Sequence, residues 1–248
     1  NPSPGTTPEH VRLRFAIKIP APSDKRQEWG DFHYAESLAD ALRKAGHVIR
    51  IDFLEQWYDH KPRDSDVVIV LRGLSRYRPH PEHLNVLWNI SHPDQVPYEE
   101  YEQYHLVYLA SLSYPALLER ILRVRPRPLL QCTDPARFSM DAAGAAEPAD
   151  VLFVGNSRAR RRPIVDWALE ARLPLTVHGT RWKPLIPEQH IAGEHIPNRE
   201  LAAHYAAAGV VLNDHWQSMA DFGFLSNRLF DALAAGGTVL SDAVPSIS

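Results

Sequence analysis

Cysteine is almost missing from this chain of 248 residues: Cys132 stands alone. One cysteine excludes an intrachain disulfide and a cysteine-based zinc site, and it suits a reducing compartment. No apolar run reaches the roughly 18 residues that span a bilayer, and the N-terminus has no signal-peptide core. Charge of one sign is lacking as well. With 27 basic and 30 acidic residues the net charge is −3, so no global field argues for nucleic acid or an anionic membrane as partner. Among 13 histidines no pair has zinc spacing: His80 and His83 lie in a Pro-rich turn, and His190 and His195 straddle Gly193. No strand is followed by G-x-G-x-x-G, since Gly155-Asn156-Ser157-Arg158-Ala159-Arg160 keeps only the first glycine. That counts against a nicotinamide-dependent dehydrogenase. The chain reads as a soluble, cytoplasmic protein without a transmembrane segment.

What is present is a globular composition, 44% hydrophobic and 23% charged, with length for one large or two modest domains. Apolar, β-branched runs over 14–19, 48–53, 67–71, 86–90, 105–110 and 129–132 predict strands. Phe32, Ala35, Leu38, Ala39 and Leu42 recur at helical spacing, with Gly46 placed to end that helix, and a second helix is predicted over 115–122. Strands alternating with helices imply a parallel sheet covered on both faces. Residues 134–150 break the rhythm with Pro, Gly and Ala and no strand signal. They read as a linker between a first domain, 11–133, and a second, 151–248. In the second, strands are predicted over 151–155, 175–179, 191–196, 210–213 and 238–241. Helices fall over 163–171 and from a capping Asn198 to Ala208, with Gly209 as the stop. The polar lead of residues 1–10 has no initiator Met, and residue 248 falls just past a strand. The chain therefore reads as a fragment whose C-terminal helices are missing.

The most telling segment is 226–242. Ser226 and Asn227 open a helix, Gly236-Gly237 close it, and a strand follows. Free N–H groups at such a helix start favour anions, and Arg228 adds a fixed charge. Asp231 projects from the same side, at i+4 from Asn227 and i+3 from Arg228. A phosphate grip with a carboxylate one turn away suits a nucleotide. The same residues also read as an ordinary capped helix before an ordinary strand.

Several pieces, in order, resemble one family. They are Gly30-Asp31-Phe32-His33 with the helix after it, Asn89-Ile90-Ser91-His92-Pro93, Thr133-Asp134-Pro135-Ala136-Arg137-Phe138, Val151-Leu152-Phe153-Val154-Gly155-Asn156 and the 226–242 segment. Together the chain resembles nucleotide-sugar-dependent glycosyltransferases of the GT-B fold, the group-1 and spore-maturation-type sequences. The resemblance implies two Rossmann-like α/β lobes with parallel sheets and a cleft between them. It also implies metal-independent, cofactor-free sugar transfer from a nucleotide-sugar donor, held by the second domain, to a glycan, protein or small-molecule hydroxyl; the net charge of −3 separately argues that nucleic acid is no partner. Retaining members carry two glutamates eight residues apart. Here Asp221 and Asp231 are ten apart, which leaves the stereochemistry open.

The candidate catalytic residues are His33, Asp31 and His92. Each His follows a predicted strand, His suits proton transfer near neutral pH, and Asp31 would orient His33 or act as base itself. The resemblance puts His33 where inverting relatives keep a base and His92 where retaining relatives meet the sugar. The donor-binding candidates are Asn156, Arg158, Arg162, Ser226, Asn227, Arg228 and Asp231. Arg158 and Arg162 belong to a run of arginines at a strand-to-helix turn, where guanidinium groups fork onto phosphates. No aromatics interleave with that run, against a nucleic-acid patch. Competing readings are a nucleotide-sugar epimerase, a non-catalytic sugar-nucleotide-binding domain, and a dehydrogenase.

Overall fold

The computed structural model describes residues 11–141 and 144–245. The Pro-rich lead and the linker alanines Ala142 and Ala143 lie outside the described residues. The chain forms two parallel sheets. The first holds β1 (Arg14–Lys18), β2 (Val48–Asp52), β3 (Val67–Arg72), β4 (Leu84–Asn89), β5 (Leu106–Leu109) and β6 (Pro126–Pro128), in the order β2-β1-β3-β4-β5-β6. Its helices are α1 (Gly30–Lys44), α2 (Tyr98–Tyr101) and α3 (Tyr114–Leu118). The second sheet holds β7 (Ala149–Val154), β8 (Leu175–His178), β9 (Ile191–Gly193), β10 (Ala208–Asn213) and β11 (Val239–Ser241), in the order β11-β10-β7-β8-β9. With it go α4 (Pro163–Glu170), α5 (Leu201–Ala207), α6 (Gln217–Asp221) and α7 (Asn227–Ala234). Two Rossmann-like α/β lobes result.

Side-chain alternation explains why both faces of the first sheet are covered. Ile17 and Ile19 pack with Phe32, Ala35 and Ala39 of α1, while Ala16, Val68, Val70, Leu87 and Val107 fill a separate core on the opposite face. Consecutive residues of one strand serve opposite cores, so the strand reads as a continuous apolar run. Helix α1 ends where Gly46 takes a φ of 90°, the left-handed stop that glycine adopts without strain.

Three local expectations are corrected. Residues 129–132 form no strand; the edge strand is Pro126–Pro128, one step earlier. Prolines are tolerated there because an outer strand leaves one row of N–H groups unused. Asn198 does not cap an α-helix. It sits in a 3-10 turn, and its Oδ1 accepts from Arg137 at 3.4 Å. Gly209 stops nothing: α5 ends at Ala207 and Gly209 lies inside β10, where a Cβ would stand 2.6 Å from the Asp150 carbonyl oxygen. Close strand approach, not helix termination, explains that glycine.

The segment between β10 and α7 returns to the first lobe. Met219 and Phe224 are buried in the core that also holds Ala16 and Val68. Ser111 Oγ donates to the Phe222 carbonyl at 2.7 Å, and Leu225 N–H donates to the Ala110 carbonyl at 3.1 Å. Helix α7 therefore starts directly from a strap anchored in the other lobe.

Candidate active site

A cavity of about 430 Å³ opens between the lobes. From the first lobe α1 supplies His33 and Tyr34. The second supplies Gly155 and Asn156 after β7, His178 and Gly179 at the end of β8, and Asn227, Arg228 and Asp231 of α7, with Thr133 between the two sets. Ligands of open α/β sheets gather at such carboxyl ends of strands. Of the residues expected from the sequence, His33, Asn156, Asn227, Arg228 and Asp231 line this cavity. Asp31, His92, Arg158, Arg162 and Ser226 do not.

Helix α7 buries Leu229 and Ala232 and turns its polar side to the cavity. Arg228 can reach across because position 155 is glycine: a Cβ there would stand 3.0 Å from the Arg228 Nη2. Its Nη1 donates to Asn213 Oδ1 at 2.9 Å. Asp231 is buried, and both its oxygens are engaged. Thr133 Oγ donates to one at 2.7 Å and the Asn227 amide to the other at 2.8 Å. Burial pushes the Asp231 carboxyl up to about 7, against the opposing pull of Thr133 and Arg228. The Asn227 amide, expected to donate to a phosphate, is thus spent on Asp231. Its Oδ1 is a buried acceptor with no partner among the described residues, which suits a ligand hydroxyl.

Ser226 faces away from the cavity. Its hydroxyl donates to Asn213 Oδ1 at 2.8 Å and its N–H to His215 Nε2 at 3.0 Å. Because Nε2 accepts, the ring proton is assigned to Nδ1, which donates to Asp242 at 2.6 Å. Burial alone would raise the Asp242 carboxyl, but these bonds from His215 hold it below the ordinary range. The expected phosphate donor at 226 is therefore a strut that sets where α7 begins.

Beside the cavity four guanidinium groups gather. Arg162 is buried, bonded through two arms to Asp214 and through Nη1 to the Asn156 carbonyl at 2.9 Å. Arg158 lies 3.6 Å over the Trp216 ring and Arg160 4.7 Å from it. Burial first, then Arg162, lowers Arg158 to about 9. Arg158 and Ala159 both take left-handed φ values, 60° and 57°, a strain that non-glycine residues hold where surroundings fix them.

In the first lobe, His33 lies on α1, not in a loop, and its Nε2–H donates to the Gln27 carbonyl at 3.0 Å. Asp31 occupies the first turn of α1, and burial of its carboxyl raises it to about 6. His92, also left-handed at φ 50°, packs its ring 5.0 Å from Trp216 at a tilt of 54°. Burial lowers its pKa; Asp94 opposes this and Arg158 adds to it. Sequence reading passed over Tyr34 and His178. His178 ends β8 with a buried Nδ1 that has no partner among the described residues, and its place at a strand end was the available signal. Cys132 is exposed on the cavity wall near the Tyr34 hydroxyl.

Among the described residues no helix is long and apolar enough to cross a membrane, and no three His, Cys, Asp or Glu side chains gather as metal ligands. Residues 160–248 match the family described as glycosyl transferase-like. No curated protein sequence matches the chain. Among solved structures, an alpha-glucosyltransferase in complex with UDP and a 13-mer DNA is similar at a TM-score of 0.57. It is 10% identical, over 96% of this chain and 85% of that one. An alpha-glucosyltransferase bound to UDP-glucose and DNA with an abasic site follows at 0.53, 11% identical over 93% and 80%. AviGT4, a glycosyltransferase involved in avilamycin A biosynthesis, gives 0.54, 17% identical over 92% and 78%. Two of these proteins hold DNA, so the expectation that nucleic acid is excluded as partner does not stand; net charge is too coarse a measure to exclude it. The two-lobed fold of the whole is that of these GT-B-fold structures, and the second lobe carries the match to the glycosyl transferase-like family.

Proposed function

We propose that the chain transfers a sugar from a nucleoside-diphosphate sugar to a hydroxyl-bearing acceptor, with arginine side chains rather than a metal ion or other cofactor neutralising the diphosphate. The observation that carries this reading is the charge count beside the cavity. Among the described residues, Arg158, Arg160, Arg162 and Arg228 have one carboxylate in salt-bridge contact, Asp214, which Arg162 occupies, while Asp231 acts on Arg228 from farther off. Such an excess is stabilised by a multiply charged anion, and guanidinium forks match phosphate oxygens. Arg228 takes the diphosphate from the cavity wall, and Arg158 is one side-chain movement away on Trp216. Asp231 and the Asn227 Oδ1 are acceptors one turn along α7 and take the ribose hydroxyls.

In the reaction the acceptor oxygen bonds to the anomeric carbon while that carbon's bond to the diphosphate breaks. The acceptor proton passes to a base on the first lobe. His33 fills that role: it lines the cavity, and donation from Nε2 leaves Nδ1 with its lone pair. Asp31 and His92 act behind the wall, Asp31 in the first turn of α1 and His92 against the Trp216 ring. In domain terms, residues 11–133 form the acceptor side, 134–150 the linker and 151–248 the donor side.

The test is thermal stabilisation by a panel of UDP- and GDP-sugars against NAD, in the parent and in Arg228→Ala. Nucleotide sugars should raise the melting temperature of the parent and lose most of that effect in the variant. Stabilisation by NAD alone would return the chain to the dehydrogenase reading. Incubation with labelled donor and glycan, protein, small-molecule and DNA hydroxyls then assigns the acceptor class.

A further inference from the structure

A second cavity, of about 310 Å³, lies on the face of the first sheet that α1 does not cover. Strand β1 sends Ile17 and Ile19 toward α1, so Lys18 points to the opposite face with Val68, and Trp57 and Tyr77 close over them. The crossover from β2 to β3 contains only two 3-10 turns, 54–56 and 62–64, where an α/β crossover ordinarily lays a helix. The space such a helix would fill stays open.

Its lining is one-sided in charge. Lys18 and Arg50 share one buried carboxylate: Lys18 Nζ donates to Asp52 Oδ2 at 2.6 Å and Arg50 Nε to Asp52 Oδ1 at 2.7 Å. Lys61 and Arg78 complete the basic lining; the Lys61 backbone N–H donates to Asp64 at 3.1 Å, but neither side-chain cation has a carboxylate within 4.0 Å among the described residues. No Asp or Glu lines the cavity. The wall is also aromatic. The Tyr58 and Tyr77 rings stack at 5.2 Å and 12°, and the Arg78 N–H fixes the Tyr58 hydroxyl at 2.8 Å. Tyr58 remains 63% exposed, so the stack has an open end. Finally, His83 lines the cavity while more than nine-tenths buried. Its Nε2–H donates to the Pro62 carbonyl at 2.8 Å, and its Nδ1 is an acceptor with no partner among the described residues.

We propose that this cavity is a second ligand site, separate from the interlobe cavity, which takes a small phosphate monoester carrying a flat ring. The cations Lys61 and Arg78 hold the phosphate, since each brings donors that no protein carboxylate consumes. The ring extends the Tyr77–Tyr58 stack, a contact any flat π-face can make. A hydroxyl of the ligand meets His83 Nδ1. Nucleoside monophosphates are the commonest molecules of that class, and the volume sits at the small end of ligand pockets.

The test uses phenyl phosphate and inorganic phosphate as probes, titrated calorimetrically into the parent, Tyr58→Ala, Tyr58→Phe, Arg78→Ala and Arg228→Ala. Phenyl phosphate should bind the parent and Arg228→Ala equally. It should bind about tenfold or more weakly to Tyr58→Ala and Arg78→Ala, as loss of a stacking platform or a charge-assisted contact does. Tyr58→Phe, which keeps the ring, should bind like the parent. Both Tyr58 and Arg78 are exposed, and unchanged melting temperatures will show that the variants are folded. Absence of binding to the parent overturns the proposal. So does loss of binding in Arg228→Ala alone, which would put the anion in the interlobe cavity. Equal affinity for inorganic phosphate would remove the ring from the ligand and overturn it too. None of these outcomes bears on sugar transfer.

Discussion

Thr133 Oγ donates a 2.7 Å hydrogen bond to Asp231 across 98 positions of sequence, joining the stretch between the sheets to the helix that faces the cavity. Asp231 keeps its place through this bond and the one from Asn227, yet burial leaves its carboxyl near neutral in pKa. An unfolded aspartate titrates near ~3.9. Between about pH 4 and the folded value of about 7 the native state holds a proton that the unfolded state has lost. Stability from this group is therefore full below the unfolded pKa and declines as pH rises through the folded one. Urea unfolding at pH 5 and pH 8 should show the parent losing stability over that step and Asp231→Asn losing less. Equal losses would mean that Asp231 titrates as an ordinary carboxyl.

Asp231→Ala should weaken nucleotide-sugar binding about tenfold or more, because hydrogen bonds to charged groups contribute ~1.5–3 kcal/mol and ~1.4 kcal/mol is a factor of ten. Asp231→Asn should cost less, since its amide oxygen still accepts. Calorimetry that gave the alanine variant parental affinity would take Asp231 out of the donor site.

Arg162→Met should cost about 3–5 kcal/mol of stability, because it leaves Asp214 buried and unpaired. The double variant Arg162→Met with Asp214→Leu should recover much of that loss, since it removes both charges together. Chemical denaturation of the two variants checks this. A double variant no better than the single one would show that the Arg162 bond to the Asn156 carbonyl, not the ion pair, holds the loop.

Trp216→Ala removes the ring shared by Arg158, Arg160 and His92. Each cation–π contact is worth roughly 0.5–2 kcal/mol, so kcat/KM should fall about tenfold as the arginine loop loses its seat. Trp216→Phe should restore most of it. Parental kcat/KM in the alanine variant would show that the stack does not order the loop for catalysis.

His33→Ala should lower kcat with little change in the donor KM, as loss of a transition-state role does. His92→Ala should lower it less, because His33 lines the cavity and His92 lies behind it. The reverse order of effects would move the base to the other side of Trp216.

The sequence by itself determined the two-lobed α/β architecture. The runs 67–71 and 151–154 are continuously apolar because both faces of a parallel sheet are buried, and that signal is local. It also pointed to α7, since the i, i+3 and i+4 spacing of Asn227, Arg228 and Asp231 is fixed by helix geometry alone. Only the tertiary structure decided what those side chains are free to do. Ser226 reads as a phosphate donor until Asn213 and His215, brought in by the strand beside it, consume its hydroxyl and N–H. Arg162 reads as a phosphate ligand until Asp214, 52 residues away, claims its fork. Trp216 meets His92 only because the strap carries it there. Spacing along a helix or strand belongs to the chain, but a hydrogen bond is shared with one partner at a time. The identity of that partner is a property of the fold.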